Sequence, residues 1–140
     1  MATIFTKIIG GEIPGTFVWR DDHCVAFMSI NPLRDGHVLV VPRIEVDHWL
    51  DCPAGIRDRL FEVSQTIGRA LNAVYSPVKV GLMIAGLEVP HLHIHVVPID
   101  GVHDLDFANA AASVDGSALD ESARAIRAEL ERLGASGVSG

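Results

Sequence analysis

Between positions 91 and 97 the chain reads His91-Leu92-His93-Ile94-His95-Val96-Val97, imidazole alternating with aliphatic. A β-strand sends successive side chains to opposite faces. As a strand, this segment therefore sets three imidazoles on one face, about 6.6–6.8 Å apart, with Leu92, Ile94 and Val96 on the other. One face belongs to a core and the other is free for chemistry. With 7 histidines in 140 residues, such an alternating triple arises by chance about once in a thousand chains of this kind.

The rest of the chain supplies a sheet for that strand. Thr16 to Arg20 and Cys24 to Met28 are β-rich runs separated by Asp21-Asp22-His23, which reads as a hairpin. Asn31-Pro32-Leu33-Arg34-Asp35-Gly36 is a loop, and His37 to Val41 is a nearly all-apolar strand ended by Pro42. Ile56, Leu60, Val63, Ile67, Leu71 and Val74 recur at steps of three and four, the stripe of a long amphipathic helix. Val78 to Ala85 and Val89 to Ile99 are strand-like about a turn at Gly86-Leu87-Glu88. Hairpin connections make antiparallel pairs, so the order predicts an α+β fold, an antiparallel sheet of about five strands with the long helix on one face. A short opening helix is expected over Thr3 to Ile9. A C-terminal helix is expected from Ser117, with Asp120 as its capping-box partner, to Leu133 and Gly134.

Length and composition fit one globular unit: 140 residues, 49% hydrophobic and 21% charged. The net charge of −7 repels nucleic-acid phosphates and anionic membranes at long range, so neither is expected as a partner. Cys24 and Cys52 form no Cys-x-x-Cys pair, which indicates neither a disulfide framework nor a cysteine-rich zinc module. No apolar run reaches the ~18 residues of a membrane span, and the first residues lack the pattern of an export signal, so the expected location is cytoplasmic.

Three uses of the histidine row compete. It can be a structural row of surface or cross-strand side chains. It can be part of a metal site, but the outer pair stands about 13 Å apart on an ordinary strand, so a further ligand such as His37 is then required. It can also serve covalent catalysis. A neutral imidazole whose Nδ1–H is held by a carbonyl has a free Nε2 nucleophile, and neighbouring rings supply donors to a phosphoryl oxygen.

The run at 91–97 matches His-φ-His-φ-His-φ-φ, where φ is an apolar residue, and so resembles the signature of the histidine triad (HIT) superfamily of nucleotidyl hydrolases and transferases. Lys7-Ile8-Ile9-Gly10-Gly11-Glu12-Ile13-Pro14 is similar to that family's amino-terminal segment, and Gly36-His37-Val38-Leu39-Val40-Val41-Pro42-Arg43 to its strand before the long helix. The likeness covers about residues 3 to 99. It implies a HIT domain over 1–107, a linker over 108–116, the C-terminal helix over 117–134 and a disordered tail over 135–140.

The resemblance also implies a chemistry. His93 would attack the α-phosphorus of a nucleoside 5'-phosphate derivative, of the phosphoramidate or dinucleotide class, to give a nucleotidyl-His93 that water cleaves. The His91 carbonyl would orient His93, while His95 and His37 line the phosphate pocket. The implied ligand is a purine nucleotide-type small molecule, the implied assembly a homodimer, and no metal or other cofactor is required. Two cysteines that help to hold a structural zinc in some bacterial members fall at Thr3 and Thr6, so that zinc is not expected. Ser29 stands where other branches hold the ribose with a longer acidic or amide residue, and Asn31 follows it in the same expected substrate-binding set. Ala85 replaces an asparagine. Glu88 replaces a small polar residue and either donates a proton to the leaving group or faces solvent, the second reading being preferred. These departures keep two alternatives open: a nucleotide-binding or interaction module with little turnover, and a metal-dependent hydrolase.

Overall fold

The computed structural model describes residues 2–140. Thr3 caps a short first helix, α1 (Ile4–Ile9), its hydroxyl accepting from the Thr6 amide. Five strands follow: β1 (Phe17–Arg20), β2 (Cys24–Met28), β3 (Val38–Pro42), β4 (Lys79–Met83) and β5 (Ile94–Ile99). They form one antiparallel sheet in the order β1-β2-β3-β5-β4. The long helix α2 (Ala54–Tyr75) links β3 to β4, and α3 (Gly116–Arg132) closes the chain. The α+β architecture expected from the sequence is the one observed.

Both faces of the sheet are covered, which explains why β2 and β3 are buried at every position. On one face Leu60, Val63, Ile67 and Leu71 of α2 pack with Val18, Ala26, Val40, Ile94 and Val96, and α3 adds Ala123, Ile126 and Leu130. Burying each large aliphatic here contributes about 1.5–3 kcal/mol. On the other face Phe5 of α1 packs with Phe17, Phe27, Leu39 and Val41. No helix among the described residues is long and apolar enough to cross a membrane.

Four local expectations are corrected. The last strand begins at Ile94 rather than Val89, because its pairing with β3 stops at Val40↔Ile94. Pro42 and Pro90 bring no N–H to a ladder, and the Leu92 amide turns instead to the Val46 carbonyl, 2.7 Å away. His91 and His93 thus precede the strand, although Leu92 still joins the core beside Ile94 and Val96. The cap of α3 is Asp115, whose carboxylate accepts from the Ser117 amide, so Ser117 and Asp120 form no capping box.

The stretch expected as a mobile linker is tied down: the Ala111 amide donates to the Pro32 carbonyl at 3.0 Å. The tail expected to be disordered runs along β1. The Arg20 amide donates to the Gly137 carbonyl (2.9 Å) and the Ser139 amide to the Val18 carbonyl (3.3 Å), about a Trp19–Val138 bridge. β1 is an outer strand, and its free main-chain groups are what the tail satisfies.

Candidate active site

Residues of α1, β2, β5 and the loops over 13–16, 29–31 and 85–89 line a cavity of about 990 Å³. His93 and His95 reach it from the last strand and the residues before it, and His37 from the start of β3. Phe5, Ile8, Phe27 and Val89 give it apolar walls. Gly36 sets up His37: its φ is +88°, and a side chain there would collide with the Tyr75 ring. The same loop is held by Arg34, which pairs with the buried Asp104 at 2.7 Å and with Asp100 at 3.0 Å.

Main-chain groups have fixed polarity, and they assign the ring tautomers. The Leu33 amide donates to His37 Nδ1 (3.0 Å), so His37 carries its proton on Nε2 and donates it to His95 Nδ1, 2.9 Å away. His95 is therefore left with an Nε2–H donor. His91 Nε2–H donates to the Pro42 carbonyl (2.8 Å), and its Nδ1 accepts from the Thr3 hydroxyl (2.6 Å). His93 Nδ1–H donates to the His91 carbonyl (2.7 Å). That leaves His93 Nε2 with a bare lone pair in a ring that lines the cavity.

Burial disfavours the charged forms of His37, His95 and His93. It pushes His37 down to about 4, helped by the nearby His93. It pushes His95 down to about 3, with the same sign from His37 and His93. His93 is also lowered, chiefly by burial, although its bond to the His91 carbonyl opposes the shift. The His93 ring packs edge-on against Phe5 and His95, each with centroids 4.9 Å apart, and Phe107 covers His95 at 5.2 Å.

The other expected residues divide. His91 is fully buried and its ring is absent from the cavity wall; what it offers His93 is its carbonyl. Ser29 lines the cavity but is buried, and its hydroxyl accepts from the Asn31 amide at 3.3 Å. Asn31 also lines it, yet both hydrogens of its side-chain amide are engaged by the Ala111 (3.1 Å) and Ala112 (2.8 Å) carbonyls. Glu88 is exposed on the cavity wall, and its charge reaches His93.

Sequence reasoning missed Thr3, the Pro42 carbonyl, Phe107 and Asp120, the last two being cavity-lining residues from the C-terminal segment. Phe107 is an isolated aromatic in an Ala-rich stretch, and no sequence signal marks it.

A zinc ion does not fit at Thr3 and Thr6. Their neutral hydroxyls are engaged with His91 and Glu45, and the His91 Nδ1 lone pair is already occupied. Among the described residues, no group of three or more His, Cys, Asp or Glu side chains is arranged to hold a metal.

Comparison with known proteins converges on one family. Residues 10–102 match the model of the HIT domain. An uncharacterized HIT-like protein of Borreliella burgdorferi is 38% identical over 102 residues, 68% of this chain and 73% of that protein. The adenosine 5'-monophosphoramidase of Saccharomyces cerevisiae is 30% identical over 98 residues, 69% of this chain and 62% of that enzyme. The crystal structure of a HIT-like protein involved in cell-cycle regulation from Bartonella henselae superposes with a TM-score of 0.81. It is 29% identical, over 91% of this chain and 95% of that one.

Proposed function

The chain belongs to the HIT-domain family, and on that premise we propose that it is a nucleotidyl hydrolase or transferase acting through a covalent nucleotidyl-His93 intermediate. The observation that carries the reading is the single tautomer of His93, with Nδ1–H given to the His91 carbonyl and Nε2 bare towards the cavity. The amidase named among the relatives supports a nucleoside phosphoramidate as substrate.

In the first step the Nε2 lone pair of His93 attacks the α-phosphorus. An N–P bond forms and the bond to the leaving group breaks; its electron pair departs with that group, whose nitrogen in a phosphoramidate takes a proton from solvent and leaves as the neutral amine. The imidazole becomes cationic, and the His91 carbonyl, already accepting Nδ1–H, stabilises that charge. The Nε2–H of His95 donates to a phosphoryl oxygen. Water then attacks phosphorus and gives up a proton to solvent, the N–P bond breaks with its electron pair returning to His93 Nε2, and the nucleoside 5'-monophosphate is released.

The cavity also bears on the leaving group. Among the described residues its lining holds two carboxylates, Glu88 and Asp120, and no lysine or arginine. Further phosphates on the leaving side would meet carboxylates with no cation to offset them, which favours a neutral or cationic leaving group over a polyphosphate. The base would occupy the apolar wall formed by Phe5, Ile8 and Phe27. A homodimer is part of the same proposal: β4 is an outer strand, with Leu82 exposed on it and Ile84 exposed just past its end.

The second reading, a binding module with little turnover, is favoured by the engaged amide of Asn31 and the buried hydroxyl of Ser29. Release of AMP from adenosine 5'-phosphoramidate separates the two. Turnover lost in His93→Ala supports the enzyme; tight nucleotide binding without turnover supports the module.

A further inference from the structure

The carbonyl that orients His93 belongs to a segment the sheet does not hold. Pairing between β3 and β5 ends at Ile94, so His91 lies outside the ladder. Its main chain is fixed by two bonds: the His91 amide to the Val89 carbonyl (2.8 Å) and the Leu92 amide to the Val46 carbonyl (2.7 Å). The Leu92 amide shares a planar peptide with the His91 carbonyl, so its bond to Val46 holds that carbonyl from one side only, without the repeated paired bonds of a strand ladder. The remaining hold on this residue is its ring, which is fully buried with both nitrogens bonded.

We propose that Thr3 is a positioning residue for the His93 nucleophile, acting through His91; the inference rests on the role given to His93 above. The polarity of the contacts is determined link by link. The Pro42 carbonyl requires a proton on His91 Nε2, so His91 Nδ1 must accept. Thr3 Oγ1 already accepts from the Thr6 amide at 3.1 Å, and its own hydrogen goes to His91 at 2.6 Å in preference to the Thr6 hydroxyl at 3.2 Å, because His91 Nδ1 has no proton to offer. Thr3 is itself held, because its amide donates to Glu45 Oε1 (2.9 Å), which also accepts the Thr6 hydroxyl (2.6 Å).

The start of α1 is thereby fastened to the ring whose backbone oxygen aims the nucleophile. The same helix supplies Phe5, whose ring edge packs on His93. Removing the Thr3 hydroxyl leaves a buried imidazole nitrogen unpaired, with only the Pro42 carbonyl holding the ring, which is then free to turn. The His91 carbonyl would shift with it, and His93 would lose its single protonation pattern.

The test combines turnover with imidazole ¹⁵N NMR on the full chain, wild type and Thr3→Val, Thr3→Ser and Thr6→Val. In the wild type His91 should show an acceptor Nδ1 and a protonated Nε2. In Thr3→Val, kcat on adenosine 5'-phosphoramidate should fall about 10- to 100-fold with little change in KM, and the His93 resonances should report mixed tautomers. Thr3→Ser should restore both. Thr6→Val, which loosens the helix but spares the bond to His91, should lower Tm without altering the His93 resonances.

A wild-type His91 protonated on Nδ1 overturns the proposal even if Thr3→Val does not fold. So does a folded Thr3→Val with unchanged kcat and resonances, or a Thr3→Ser that fails to rescue. A wild-type chain that turns over no nucleotide overturns the reading of His93 and this inference with it, whereas an active wild type with an indifferent Thr3→Val overturns this inference alone.

Discussion

His37 and His95 are joined ring to ring: His37 Nε2 stands 2.9 Å from His95 Nδ1, and the Leu33 amide fixes the direction of that bond. The pair works only while both rings are neutral, since a second proton would set two donors against each other. Burial secures this by lowering both pKa values, to about 4 and about 3. His93 is lowered as well, so its attacking lone pair persists below the ordinary imidazole value of 6.5 and is lost as pH falls further. The acid limb of the pH profile of kcat/KM should therefore have its midpoint below 6.5. An acid limb at or above 6.5 would mean that His93 is not held in the environment described here.

Glu88 should sort substrates by the charge of their leaving groups. A carboxylate on the cavity wall acting through water-like screening is worth about 1 kcal/mol at contact, or about fivefold in rate. Glu88→Gln should lower the ratio of kcat/KM for an amine-releasing phosphoramidate to that for a dinucleoside polyphosphate by about this factor. An unchanged ratio would place Glu88 in solvent as a plain turn residue.

Asn31 should act on the cavity by holding its far wall. Its amide clamps Ala111 and Ala112, next to the Phe107 that covers His95. Asn31→Ala removes two hydrogen bonds, a loss of about 1–2 kcal/mol. It should raise KM several-fold and affect kcat less. A variant with wild-type KM and Tm would show that the clamp does not shape the site.

The tail should contribute to stability and not to turnover. Deleting residues 135–140 uncovers Trp19 and breaks two main-chain bonds to β1, which should cost about 1–2 kcal/mol. Thermal unfolding should shift down while kcat/KM stays the same. Identical melting of the full and shortened chains would contradict the observed pairing.

The parts legible in the sequence are those set by periodicity. The stripe from Leu60 to Leu71 and the aliphatic positions Leu92, Ile94 and Val96 lie in the core beneath the long helix because burial depends on side-chain spacing alone. What escaped notice depends on partners distant in sequence. The Thr3 hydroxyl finds His91 across 88 positions, and Asn31 reaches Ala111 across 80. Local composition also misled: Ala, Ser and Gly near the C-terminus read as loose chain, yet an open strand edge and two carbonyls of that segment recruit it to the body. The alternation of the histidine row is that of one strand, whereas the ladder stops at Ile94, beside Pro42 and Pro90, before it includes His91 and His93.

The proposed chemistry turns on a transient bond between His93 Nε2 and phosphorus. Intact-protein mass spectrometry, after rapid mixing with adenosine 5'-phosphoramidate and acid-free quenching, tests it most directly. The wild type should gain one nucleotide-sized adduct that decays on standing, mapped to His93 and absent from His93→Ala. Release of AMP with no adduct at any time, or an adduct that survives in His93→Ala, would contradict it.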